Sequence, residues 1–153
     1  MEEILRLWSN YIAARQQLMN HQLIRTFNNP VEDFSELLVA RIMNGTLALN
    51  VNQRDFDVET NDKCIQVKSI AKAPNNTNGY IVTTKDRENQ LATHYAFVFF
   101  DNYFPVDIFI VCAEFVRDYG KSQIKRQDLN AVCDPLQPNT EGVSIWTQQN
   151  VNV

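Results

Sequence analysis

Residues 55–68 restrict the fold of this chain most strongly, because they carry the pattern of a β-hairpin. Apolar and polar residues alternate on both sides of Asn61-Asp62. Successive side chains of a strand point to opposite faces, so each strand has one apolar and one polar face. Asn and Asp both tolerate the left-handed conformations that a two-residue turn requires. The sequence therefore predicts a hairpin with strands at 55–60 and 63–70.

The register of this hairpin follows from its turn. Counting back from the two loop residues places Asp57 opposite Gln66 and Asp55 opposite Lys68. Directly opposed residues have Cβ atoms about 5 Å apart. A carboxylate, an amide oxygen and an ammonium group at that separation can hold a hard cation and a phosphate together.

A helix with an acidic residue on its apolar surface is predicted just before the hairpin. Asn29-Pro30 is a helix start, with an Asn cap and Pro at the first helical position, and Asn44-Gly45 is the matching stop. Glu36 lies among the apolar residues between these signals. A carboxylate is costly to bury unless it is paired or bound to a metal. Acids in the first turn need no such explanation, since they favour the helix dipole.

The helix and the hairpin together resemble the PD-(D/E)XK nuclease superfamily, which includes restriction endonucleases, Holliday-junction resolvases and repair nucleases. The family pattern is a helix with a Glu, a strand with an Asp, and a second strand with (D/E/Q)-x-K. Glu36, Asp57, Gln66 and Lys68 occur in that order and spacing. The resemblance covers residues from about 30 to 70. Two features depart from the pattern: no Pro precedes Asp57, and Gln66 replaces the usual acid.

The resemblance implies an α/β fold of the restriction-endonuclease-like type, with a mixed β-sheet flanked by helices. It also implies catalysis with Mg²⁺ or Mn²⁺. Asp57 would be the principal metal ligand, and Glu36, the Gln66 side-chain oxygen and the Val67 backbone carbonyl would complete the protein ligands. Lys68 would orient the attacking water and offset phosphate charge. Metal binding would be weak, because Gln66 contributes no charge.

The charge distribution gives mixed support for a DNA-binding protein. The net charge of the chain is −4, which is unusual for a nucleic-acid-binding domain. Residues 63–87, however, contain five basic residues and one acidic residue, which leaves −8 for the remainder. This segment could contact phosphates beside the predicted site. Gln53, Lys72, Lys85 and Arg87 are the predicted DNA contacts.

Length and composition favour one domain. A chain of 153 residues can bury a real core, and 44% hydrophobic content is ordinary for a globular protein. The apolar stripe over 3–27 predicts a long N-terminal helix within residues 1–29, which either covers the nuclease-like domain at 30–153 or forms a dimer contact. No run is apolar enough to span a membrane, and no signal segment is present, so a cytoplasmic protein is expected. Three distant cysteines favour neither a disulfide framework nor a zinc site.

Three interpretations of the sequence remain open. The first is an active metal-dependent DNA endonuclease, working as a homodimer or with a partner subunit. The second is a nuclease-fold subunit that binds nucleic acid or a protein with little or no cleavage. The third is an unrelated α/β domain whose hairpin carries a surface salt-bridge ladder. A position of Glu36 remote from Asp57 would favour the third interpretation.

Overall fold

The structure is a computed structural model that describes residues 1–49, 56–72, 80–82, 91–101, 103–136 and 138, with only the backbone described at positions 72, 80 and 82. Several predictions from the sequence lie outside these residues and cannot be compared with it. They concern Gln53, Asp55, Lys85 and Arg87.

In chain order the described elements are α1 (Glu2–Asn20), α2 (Pro30–Ile42), β1 (Thr46–Leu47), β2 (Val58–Glu59), β3 (Cys64–Lys72), β4 (Tyr80–Val82), β5 (His94–Asp101), β6 (Phe104–Cys112), α3 (Ala113–Asp118), β7 (Gln123–Lys125) and α4 (Arg126–Asn130).

The main layer of the fold is a five-stranded mixed sheet with the strand order β1-β2-β3-β5-β6. The β3 and β5 strands are parallel, and the other neighbouring pairs are antiparallel. A second sheet joins β4 to β7. The α/β class, the mixed sheet and the N-terminal helix predicted from the sequence are confirmed.

The hairpin has the predicted register. Val58 pairs with Ile65 and Glu59 with Cys64, and the turn closes where the Thr60 amide donates to the Lys63 carbonyl over 2.8 Å. The first strand is shorter than predicted, because β2 covers only two residues. From residue 66 onward, β3 continues as a neighbour of β5.

The core has two halves, one on each face of the sheet. All residues of β5 from 95 to 100 are buried. On one face, the buried side of α2 packs on alternate residues of β3 and β5. On the other face, α3, α4 and the β4–β7 sheet cover Tyr95, Phe97 and Phe99.

The N-terminal helix ends seven residues before the end of the predicted helix at 3–27. The Leu23 amide donates to the Leu18 carbonyl and the Gln22 amide to the Met19 carbonyl, with Gln22 at φ 57°. This is the hydrogen-bond pattern of a Schellman cap, which requires a left-handed residue after the helix. Gln rarely takes that conformation, so the apolar pattern alone could not reveal the stop.

The second helix begins and ends where the sequence predicted. The Asn29 side chain accepts from the Val31 amide over 3.1 Å, and Pro30 occupies the first helical position. At the other end, Asn44 has φ 50° and the Gly45 amide donates to the Ala40 carbonyl over 2.8 Å. A Cβ on Gly45 would lie 2.7 Å from the Glu59 carbonyl oxygen, so Gly lets α2 end directly against β2.

Candidate active site

A cleft of about 340 Å³ lies at the open end of the hairpin, where β2 begins and β3 extends beyond it. Val67 lies in the part of β3 that extends beyond β2. Its amide donates to the Asp57 carboxylate and not to the backbone of a neighbouring strand. The cleft therefore follows the edge of β3 that faces away from β5. Its floor comes from β3 and its wall from α2. The lining residues are Glu32, Glu36, Asp57, Gln66, Val67, Lys68, Ser69 and Ile70.

Asp57 lies at the open end of the hairpin, where two residues of β3 donate hydrogen bonds to its carboxylate. Its Oδ2 accepts a hydrogen bond from the Val67 amide over 2.7 Å and a second from the side-chain amide of Gln66. Burial raises the pKa of Asp57, while the Val67 hydrogen bond and the charges of Lys68 and Arg25 act in the opposite direction. The predicted opposition of Asp57 and Gln66 thus becomes a direct contact.

Two further oxygen atoms on β3 could bind a metal together with this carboxylate: the Val67 carbonyl oxygen and the Gln66 side-chain oxygen. The N–H and C=O groups of one strand residue point to the same edge, so the Val67 carbonyl is directed along the cleft edge together with its amide. Gln66 is 6% exposed, which keeps its amide in contact with Asp57. Because the amide nitrogen donates to Asp57, the amide oxygen is the atom of Gln66 that can bind a metal.

Glu36 reaches the same cleft from α2. Its Oε2 forms an ion pair with Nη2 of Arg25, and the two side chains are 18% and 21% exposed. Burial and the nearby Asp57 charge raise the pKa of Glu36 to about 7, against the opposing effect of Arg25. Two carboxylates that repel each other across a cleft are a favourable place for a divalent cation.

The raised pKa of Glu36 predicts how stability depends on pH. Between its ordinary value of 4.5 and about 7, the folded protein holds a proton on Glu36 that the unfolded chain has lost. The free energy of unfolding of the metal-free protein should therefore fall as the pH rises through this window, by up to about 3 kcal/mol. Chemical denaturation at pH 5 and pH 8 in a chelator measures this change.

The comparison needs two variants. Glu36→Gln should lack this part of the pH dependence, whereas Glu59→Gln, on the exposed side of β2, should keep it. The same pH dependence in Glu36→Gln and the wild type would show that Glu36 does not titrate in this way.

Lys68 is the positively charged residue that β3 contributes to the lining of the cleft. It lines the cleft two residues after Gln66, and its positive charge lowers the pKa of Asp57. The structure thus brings Glu36, Asp57, Gln66 and Lys68 together in the lining of one cleft. Among the predicted DNA contacts, Lys72 lies at the end of β3, and its side chain is not described.

Three residues near the cleft were missed by reasoning from the sequence. Glu32 lines the cleft and raises the pKa of Asp57; its position four residues before Glu36 on one helix face was a usable signal. Asp33 is 6% exposed, although a first-turn acid had needed no explanation beyond the helix dipole. Arg25 lies in a segment without regular secondary structure, and no sequence pattern pointed to a role for it.

Asp33 fixes the position of the chain segment that contains Arg25. Its Oδ2 accepts hydrogen bonds from the Arg25 amide over 2.7 Å, the Thr26 amide over 2.6 Å and the Thr26 hydroxyl over 3.0 Å. Arg25 in turn donates from Nη1 to the Ala48 carbonyl over 3.0 Å. The segment between α1 and α2 is therefore fixed against the first turn of α2.

Replacement of Asp33 by Ala should lower the free energy of unfolding by about 2–4 kcal/mol, because three donors lose a charged acceptor. Its neighbour Glu32 is exposed, so Glu32→Ala should change stability by less than about 1 kcal/mol. Denaturant unfolding of both variants measures the difference. Equal losses would mean that Asp33 acts only through the helix dipole.

The oxygen-rich lining fits a hard divalent cation. Carboxylate, amide and carbonyl oxygens are the ligands that Mg²⁺ prefers, and it commonly takes only one or two carboxylates from the protein. Among the described residues, no group of three or more His, Cys, Asp and Glu side chains is arranged to hold a metal ion. None of the described helices combines the length and apolar character needed to cross a membrane.

Comparison with known proteins adds no relative. No protein-family model matches the chain, and no curated protein sequence matches it significantly. Its function is therefore inferred from the cleft and from the residues that line it.

Proposed function

We propose that this protein is a metal-dependent endonuclease that hydrolyses DNA phosphodiester bonds, with its active site in the cleft along β3. The observation that supports this most strongly is the convergence of Glu36, Asp57, Gln66 and Lys68 on one cleft. These residues come from a helix and from both strands of a hairpin, in the order of the PD-(D/E)XK pattern. The fold we propose is accordingly restriction-endonuclease-like.

Asp57 would be the main ligand of the metal, because it is directed into the cleft by two donors on β3. Glu36, the Gln66 amide oxygen and the Val67 carbonyl would complete the protein ligands. Bound Mg²⁺ or Mn²⁺ supplies charge relief at the phosphate and lowers the pKa of a bound water. Gln66 brings no charge, so we expect weak binding of the free cation.

Lys68 would act on the attacking water. An ammonium group beside two carboxylates can donate to a water and hold its lone pair toward a phosphorus atom. The Lys68 charge acts on Asp57, which supports this role. The same charge would offset part of the negative charge on the phosphate.

DNA would lie across the cleft and contact the basic residues that follow Lys68. Lys72 continues the same strand, and Lys85 and Arg87 belong to the same basic segment; Gln53 precedes the hairpin. Phosphate contacts of this kind set affinity and its salt dependence more than they set chemistry. We therefore propose these four residues for binding and not for catalysis.

A second function is favoured by the hydrogen bonds within the cleft. Asp57 is already bound by Gln66 and Val67, and Glu36 is already paired with Arg25. A site whose carboxylates are satisfied without a metal could belong to a subunit that binds nucleic acid or a protein and cuts slowly or not at all. Metal-dependent cleavage separates the two functions.

The test is incubation of the purified protein with supercoiled, linear and branched DNA and with RNA, each in Mg²⁺, Mn²⁺ or chelator. The endonuclease proposal expects cleavage of a DNA substrate that stops in chelator. Binding without cleavage in either metal would favour the second function. Cleavage of RNA alone would change the substrate but keep the site.

The partner we propose is a second copy of this chain, bound through α1. No residue of α1 is buried, and seven of its large apolar side chains are 38–65% exposed. Four of these seven lie on a line whose steps alternate between four and three residues, as in the seam of a coiled coil, with Arg15 at the remaining position. Two acidic and two basic residues leave the helix uncharged overall, which suits self-association better than an anionic membrane. The seam positions are Ile4, Trp8, Tyr11, Arg15 and Leu18.

A dimer would bring two cutting sites to the two strands of a duplex. We expect the wild type to sediment as a dimer and Trp8→Glu to sediment as a monomer that nicks one strand at a time. Leu91→Glu is the control, because Leu91 is 65% exposed outside α1. A monomeric wild type at tens of micromolar would rule out this interface.

A further inference from the structure

Arg25 lies behind the cleft as the ion-pair partner of Glu36, and the proposed catalysis gives it no role. Its guanidinium donates from Nη1 to the Ala48 carbonyl and from Nη2 to Glu36, and its own backbone amide is bound by Asp33. The side chain thus bridges α2 and the residue that follows β1, with its charge against one of the two proposed metal-binding carboxylates.

Stability alone does not explain this arginine. Its Nε is buried and has no hydrogen-bond partner in the part of the chain that the structure describes. A buried donor without a partner costs stability, and a buried ion pair often contributes little net stability. An uncharged side chain could pack at this position without that cost.

The charges around the cleft show what Arg25 changes. When Glu36 is ionised, four carboxylates and two cations give a local charge of about −2; these residues are Glu32, Asp33, Glu36, Asp57, Lys68 and Arg25. The Arg25 charge acts on both Glu36 and Asp57. Without Arg25 the local charge would be about −3. A divalent cation would be attracted more strongly in the second case.

We propose that Arg25 is a positioning residue that takes the place of the metal's charge in the metal-free protein, holding Glu36 beside Asp57 and lowering the affinity of the cleft for a free divalent cation. The inference rests on the proposed metal site and deepens it. Arg25 offsets the repulsion between the two carboxylates before any metal arrives. The same charge then competes with the metal for Glu36. The cleft therefore binds the metal more weakly than it would without Arg25.

The test is calorimetric titration of Mn²⁺ alone into the wild type and into variants of Arg25. Arg25→Gln and Arg25→Met remove the charge and should bind Mn²⁺ at least about tenfold more tightly than the wild type. Arg25→Lys keeps the charge and should bind like the wild type. Arg41→Gln, which removes an exposed arginine near the end of α2, should also leave the affinity unchanged.

Every outcome decides the inference. Equal or weaker Mn²⁺ binding by both uncharged variants would overturn it, even if the wild type cuts DNA. Failure of both variants to fold would make Arg25 a structural residue and would also overturn it. Tighter binding without DNA cleavage by any protein would support the role of Arg25 and remove the endonuclease proposal. Absence of Asp57-dependent Mn²⁺ binding in every protein would remove both.

Discussion

Replacement of Lys68 by Ala should lower the rate of DNA cleavage by about a hundred- to ten-thousand-fold while leaving the fold and most DNA binding intact. The reason is that Lys68 lies in the cleft beside Asp57, where it can position a water. DNA affinity is shared with the other basic residues of the segment 63–87, so it should change little. Single-turnover cleavage at saturating DNA separates chemistry from binding.

Lys63→Ala is the matched control for this substitution. Lys63 belongs to the same hairpin, but it pairs with Asp62 at the turn and does not line the cleft. The variant should cleave like the wild type. If a Lys68→Ala protein with the wild-type melting temperature cuts at the wild-type rate, Lys68 is a surface lysine and the nuclease proposal should be dropped. Lys72→Ala and Lys85→Ala should instead weaken binding and reduce its salt dependence.

Replacement of Asp57 by Asn should have the second large effect, a loss of cleavage on the order of a thousandfold or more together with loss of Mn²⁺ binding. Asn keeps the size of the side chain but removes the charge that would bind the metal. It also places an amide opposite the Gln66 amide, in a contact where a carboxylate now accepts. Calorimetry with Mn²⁺ and single-turnover cleavage together measure both losses.

Asp62→Asn is the control for Asp57. Asp62 is an aspartate on the same hairpin, exposed at the turn, and its lowered pKa comes mainly from the hydrogen bond with Lys63. Its replacement should leave both Mn²⁺ binding and cleavage unchanged. Unaltered Mn²⁺ binding by Asp57→Asn would place the metal elsewhere and would contradict the proposed ligand set.

The parts of the fold that the sequence predicted are those with a strong local period. The hairpin register follows from alternation on both sides of one turn, so counting residues is sufficient to bring Asp57 to Gln66. The bounds of α2 follow from Asn29, Pro30 and Asn44, whose chemistry acts within one turn of the helix.

The parts that the sequence did not predict depend on tertiary contacts. Arg25 reaches Glu36 because the chain reverses at Gln22, a left-handed residue with no compositional signal. The sequence shows Asp33 only as a first-turn acid, and its three hydrogen-bond donors are known from the structure alone. The early end of α1 has the same cause as the position of Arg25. Local patterns thus predicted the proposed ligands, but not the cation that accompanies them.

The most direct measurement is the rate at which supercoiled DNA is nicked in Mg²⁺ by the wild type, Asp57→Asn and Asp62→Asn, at equal concentration and with chelator as a blank. The proposed site predicts nicking by the wild type and Asp62→Asn, none in chelator, and a loss on the order of a thousandfold in Asp57→Asn. Equal nicking by all three proteins, or none by the wild type in Mg²⁺ or Mn²⁺, would contradict it.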